Sequence, residues 1–366
     1  MTDKIIKGSG GGGGRTPAST PQPSRAPDTL NSRQFASIQD LLSEGEIEGF
    51  ATPSKAGLSK GSAAYNNAAL KDIFLNDTPI LNAGADNNSP SPSDFNFQRV
   101  EFTPRFGTSS QSHIPGIESS QSTTAVGVTV TAGVSGEVTR RITNSEVDAV
   151  RVTITFPQLQ KVTDKGDLIG SEVNLKVFIQ YNNGGFTQVI NDTVKGRTAD
   201  SYQKEYRVTL TGAFPVDVRL KRDTPDSTDT DLIDAFQWTS FTEIIDNVST
   251  YPNSAYTNLR LDSEQFSSIP KRSFRIRGVK VRIPGAGAGG SGTPSVDLQT
   301  GRIIYPDGYI FNGTMGAAQW CSCPSMVLLD LLTTERYGFG THITDSNLDL
   351  FSFVAASRYA NELVSD

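Results

Sequence analysis

The sequence predicts a mainly β, α+β protein: antiparallel β-barrel or sandwich domains with two C-terminal helices. Three observations predict it. Apolar residues recur with period 2 in successive runs between 126 and 220. Gly, Asn and Pro turn signals separate those runs. Met is scarce (3) and Gly frequent (34) in a chain of 366 residues. Period 2 sends alternate side chains to opposite faces of a strand. Short strands at regular spacing, joined by turns, are the pattern of a sandwich or barrel.

Composition narrows the function classes. A formal net charge of −6 with both signs interspersed gives no basic field for nucleic acid. The two cysteines, Cys321 and Cys323, exclude a disulfide framework and form half a metal site at best. We read them as buried thiols near a helix start. No apolar run reaches the roughly 20 residues of a membrane helix, and no signal-peptide core opens the chain. The expectation is a protein made in a reducing compartment, without metal or cofactor.

Residues 1–33 are low-complexity, with Gly at 8 and 10–14 and Pro at 17, 21, 23 and 27. No strand precedes this glycine run and no Gly-Lys-Ser/Thr follows, so it is read as a disordered arm, not a phosphate loop. Glu44, Glu46 and Glu48 alternate as on a solvated strand face. Ile73–Ile80 reads as a strand, a turn and a second strand start. Residues 98–222 form the cleanest unit, a sandwich: Val150, Val152, Ile154 and Phe156 alternate with Arg151, Thr153 and Thr155. Val173–Tyr181 repeats the pattern before the Asn182-Asn183-Gly184-Gly185 turn, and strands at 206–210 and 216–220 follow. His113 falls in a polar loop with no patterned partner.

Residues 34–97 and 223–312 are assigned to one discontinuous β domain. Its Phe236–Ile245 stretch is apolar on both strand parities. Phe236 and Trp238 point one way, Phe241 and Ile245 the other, so a subunit interface on these four residues is expected. Gly278, at a parity change, reads as a bulge. The basic strand of Lys271, Arg272, Arg275, Arg277, Lys280 and Arg282 is the best contact patch, and pairing with acidic strands or a neighbouring subunit is favoured over nucleic acid. The glycine run 285–290 lacks the helix a dinucleotide fingerprint requires and reads as a hairpin loop. Residues 313–366 begin a further, helical domain. Pro324 starts one helix, with Arg336 in its last turn and Gly338 and Gly340 as stops. Ser346–Asp349 resembles a capping box for a second helix, with Leu348, Phe351, Ala355 and Tyr359 on its apolar face. That face requires a partner, which implies that the natural polypeptide continues beyond Asp366.

Several blocks then align with something known. TPDST (224–228), TEIID (242–246), YPN (251–253), DSEQF (262–266) and IRG (276–278) resemble the lambda-type phage host-specificity protein J family, the tail-tip hub and central fibre. SEGEIEG (43–49), LNDTPIL (75–81), KGD (165–167), SEV (171–173) and ERYGFG (335–340) follow the same order. The resemblance implies a homotrimeric ring of β-rich hub domains in the virion, made in the host cytoplasm. It implies contact with other tail-tip and tail-tube proteins and the tape-measure protein, with phage DNA in transit during ejection. The host receptor would be met by C-terminal domains outside this chain. The glycine- and proline-rich arm and the 284–312 loop depart from the family pattern. The alternative is a carbohydrate-binding or carbohydrate-cleaving tail protein using Asp226, Asp229, Asp231 and Asp234, which sit in loop-like sequence.

Overall fold

A computed structural model describes residues 24–363. The arm expected over 1–33 therefore lies largely outside the described residues. The rest is mainly antiparallel β-structure with a few short helices, as the periodicity predicts. Every sheet among the described residues has open edges, so none closes into a barrel. The chain divides into two compact units. One takes the described residues up to Ser32 together with Ser122–Glu243, and the other takes Arg33–Gln121 and residues from Ile244 onward.

The first unit is a sandwich. One sheet orders Thr187–Gly196, Ser171–Tyr181, Val216–Arg222 and Val138–Ile142. The other orders Tyr202–Thr209, Ala149–Phe156, Gln237–Asp246 and Glu118–Thr129. Val173, Leu175, Val177 and Ile179 from one sheet and Val150, Val152, Ile154 and Phe156 from the other share one core. Fully burying each such side chain contributes about 1.5–3 kcal/mol. Asn182 and Asn183 turn the chain with φ of 47° and 55°, the left-handed values of a tight hairpin that asparagine tolerates.

The boundaries expected at 98 and 222 move for a pairing reason. Glu101–Phe106 pairs with Ser254–Asp262 and so joins the second unit. Gln237–Asp246 lies between two strands of the sandwich sheet, so the chain after 222 still serves the first unit. Residues 313 onward are not a separate body either, because Met315–Gln319 pairs with Val281–Pro284.

The second unit centres on Phe35–Glu44, Ser254–Asp262 and Glu101–Phe106. Phe50, Tyr65, Ile73, Leu75, Leu259 and Leu261 fill its main core. Gly49 sits at φ 135°, where an added Cβ would collide with Tyr65 Oη. That hydroxyl accepts a hydrogen bond from the Phe50 amide at 3.1 Å. The expected Gly278 bulge is absent: Ile276, Arg277 and Val279 pair with Phe50, Gly49 and Ile47 in unbroken register. The parity change arises because the chain breaks into Arg272–Phe274, Ile276–Val279 and Val281–Pro284, each with a different partner.

Two helices close the described chain. Pro324–Thr333 starts on Pro324, as predicted, but stops before Arg336. Leu350–Ala360 is capped by Asp349, whose carboxylate accepts from the Phe351 and Ser352 amides. The expected Ser346 box is displaced: Thr344 and Asn347 make that box around a short 3-10 turn instead. The expected apolar face also faces outward, with Phe351 and Tyr359 60% and 80% exposed. The buried stripe is Val354, Ser357 and Asn361, a partly polar face that pairs its own hydrogen bonds. Tyr305 Oη donates to Ser357 Oγ (2.7 Å) and the Ile303 amide donates to Asn361 Oδ1 (2.7 Å).

Candidate functional site

Three of the four residues expected at a subunit interface lie in the chain's own core. Phe236, Trp238 and Phe241 are 1%, 0% and 3% exposed and belong to the sandwich's own core. Ile245 is half-buried at the strand end. Trp238 and Phe241 meet edge to face, with centroids 5.8 Å apart. Trp238 Nε1 donates to Ser240 O (2.8 Å). The rest of the strand's second face is met by threonines: Thr239 pairs with Thr155 at 2.5 Å and Thr242 with Thr123 at 2.9 Å. The apolar pattern of Phe236, Trp238 and Phe241 is thus satisfied within one chain, and the interface assignment is corrected for these three.

The basic strand is brought together, and almost every cation in it meets a carboxylate of the same unit. Arg272 holds Asp40 through two bonds of 2.7 and 2.9 Å. Arg275 reaches the fully buried Asp72 at 2.6 Å. Lys280 lies 2.7 Å from Glu46 and 3.8 Å from Glu48. Arg282 grips Asp345 with two 2.8 Å bonds, which hold that carboxyl below its ordinary pKa. Lys271 is within 3.6 Å of Asp77. Among the described residues Arg277 makes no ion pair, Glu48 and Asp297 acting on it only through space: it is 3% exposed, stacks over Trp320 at 4.2 Å and donates to Leu298 O. Burial pulls its pKa down. The alternating glutamates are therefore ion-pair partners, with Glu44 bound to Arg336.

The acidic loop offers no catalytic pair. Arg222, 2% exposed, binds Asp234 at 2.6 Å and Asp226 at 3.3 Å. Asp226 also accepts from the Ala132 amide (3.0 Å), and Asp229 meets Lys161 at 3.3 Å. These carboxylates fix a loop instead of flanking a cleft. Cys321 and Cys323 are buried as free thiols. Burial pushes Cys321 up to about 11. Burial also raises Cys323, but bonds with Ser325 and Ser357 outweigh it and leave that thiol below its ordinary value. Among the described residues no group of three His, Cys, Asp or Glu is placed to hold a metal. His113 lies in its expected loop, where its carbonyl accepts from Arg105 Nη2 at 2.5 Å.

Sequence reasoning missed two buried arginines, Arg222 and Arg197, each 2% exposed. Arg222 had a legible signal, an arginine ending an apolar alternation ahead of an aspartate-rich loop. Arg197 had none, because its partners lie about 170 residues away, at Ala26 and Asp28.

Fold and side chains together define a class: a two-unit, mainly antiparallel β protein whose charged residues largely hold its own strands and loops. Residues 120–247 match the family model described as Tip attachment protein J, FNIII-A domain. Tip attachment protein J of Escherichia phage SECphi4 is 31% identical over 363 residues, 99% of this chain and 28% of that protein. Tip attachment protein J of Escherichia phage SECphi27 is 29% identical over 301 residues, 81% and 23% of the two chains. The chain is similar to the phage tip attachment protein J along most of its length, as its short motifs suggest. It spans about a quarter of the length of these relatives. A solved structure titled "CBM4 structure and function" is 13% identical and covers 50% of this chain and 95% of that one, but its TM-score of 0.16 carries no argument.

Proposed function

We propose that this chain is a structural component of a phage tail tip that takes part in host attachment. The observation that carries the reading is the match to tip attachment protein J along 99% of the chain. In this reading it is the N-terminal hub portion of a J-type protein in the virion, made in the host cytoplasm and not an enzyme. It closes the distal tail tube of a long non-contractile tail, anchors the central fibre and opens for DNA ejection. Three copies form the hub and contact tail-tube, tail-tip and tape-measure proteins, while domains beyond this chain meet the host receptor.

The internal pairing of the basic strand supports a framework role over nucleic-acid binding. The engaged Asp226, Asp229 and Asp234 favour it over carbohydrate cleavage. With the core residues of Gln237–Asp246 withdrawn, we place the trimer contacts on the exposed apolar side chains between 327 and 359. These include Leu328, Leu331, Phe339, Phe351 and Tyr359, 46–80% exposed. We read them as the apolar surface that a subunit contact would cover. The test is a phage carrying a nonsense mutation in this gene. Loss of finished tails, with the chain found by mass spectrometry in wild-type virions, supports the reading. Infectious mutant particles of normal tail structure refute it.

A further inference from the structure

Residues 24–32 lie against the sandwich as an extended segment. Ser24 donates to Asp167 from both its amide (2.5 Å) and its hydroxyl (2.9 Å). The Leu168 amide donates to Ser24 O and the Ala26 amide to Leu168 O, both at 2.9 Å. The Thr29 and Leu30 amides donate to Arg197 O at 2.9 and 3.2 Å. The Arg197 amide returns a bond to Thr29 Oγ1 (3.0 Å). The Arg197 guanidinium, 2% exposed, donates to Ala26 O (2.8 Å), to the Asp28 carboxylate, and to Gln160 Oε1 (3.2 Å). Gly196 leaves the room this needs: a Cβ there would collide with Thr29 and Leu30.

The segment's own side chains bury little. Ser24, Arg25, Pro27, Asp28 and Thr29 are exposed, and only Leu30 reaches the core. It is held by polar bonds to a buried cation, not by apolar burial. Elements with few buried apolar contacts open locally, well below the free energy of global unfolding. Opening strips the buried Arg197 of its carboxylate, an arrangement that strongly favours recapture of one. The sandwich match at 120–247 does not include this segment.

We propose that the groove around Arg197 is a binding site for an extended peptide carrying an aspartate beside a hydroxyl residue. It is filled here in cis by residues 24–32, which open and close as a latch independent of the sandwich.

The test is hydrogen exchange on the whole chain carrying Asp28→Asn and Thr29→Val, both on exposed positions that leave the core intact. Losing a charge-assisted hydrogen bond and a hydroxyl acceptor should speed exchange of the Leu168, Thr29, Leu30 and Arg197 amides about tenfold or more. Amides of the Ala149–Phe156 strand should hold their rates. A synthetic peptide of residues 24–32 with the native sequence should restore protection at Leu168 and Arg197, and the doubly substituted peptide should not. Latch and sandwich amides accelerating together, or neither accelerating, would overturn the latch. Failure of the native peptide to protect would overturn the binding site.

Discussion

At the scale of single residues, Trp238 and Arg222 are sensitive points of the sandwich's stability. Trp238 is completely buried among Phe241 and the two sheets. Trp238→Ala should cost about 3–5 kcal/mol, seen as a lower urea midpoint of the isolated chain before any assembly step. Asp234→Ala would leave Arg222 buried without its closest carboxylate, a loss of roughly 3–5 kcal/mol for a buried pair broken on one side. Asp217 and Asp345 contribute to the acid limb. Hydrogen bonds from Arg141 and Arg282, respectively, hold their carboxyls below the ordinary value. A carboxyl with a depressed folded-state pKa stabilises the fold fully above its unfolded value of about 3.9. That stabilisation is lost as pH falls from there through the lower folded-state values. Denaturation midpoints should therefore drop below about pH 4, and Asp217→Asn with Asp345→Asn should flatten that drop. An unchanged acid limb in the double variant would show that these pairs do not contribute to it.

At the scale of elements, the strands were legible and their partners were not. Alternation at 149–156 and 171–181 marked strands, because apolar side chains on one face of each meet the core; the other face is half-buried along Ser171–Tyr181, while in Ala149–Phe156 it carries the buried Thr153 and Thr155. The Phe236–Ile245 pattern was visible too, but its cover was misassigned. Sequence parity cannot show that Trp238 and Phe241 meet within one core. The run 271–284 reads as one basic strand with a bulge and is three strands, since a switch of partner leaves no mark in the residues themselves. The last helix inverts the usual rule by burying Ser357 and Asn361 in hydrogen bonds while Tyr359 stands out. Periodicity ranks apolar side chains and has no means of seeing Tyr305 across the fold. Leu328→Ser with Tyr359→Ser should change stability by only about 0.5 kcal/mol each, measured by thermal melts. The same pair should lower the yield of assembled tails; normal tails would move the trimer contacts off these helices.

At the scale of the whole molecule, charge pairing separates a framework from a binder of nucleic acid. Of the six cations of 271–282, five face a carboxylate of the same unit and the sixth is buried. Binding of this chain to double-stranded DNA should be negligible at physiological salt, without the steep salt dependence of a protein that neutralises many phosphates. A gel shift that fades with added salt would contradict that. The family resemblance was readable from short ordered motifs, and the match along the chain agrees with it. The role in the virion is tested most directly by a cryo-EM map of the isolated tail tip. We expect density for the two β units, repeated three times around the tube axis at its distal end. A tip whose density has no place for these units, or holds them in a single off-axis copy, would contradict the hub assignment.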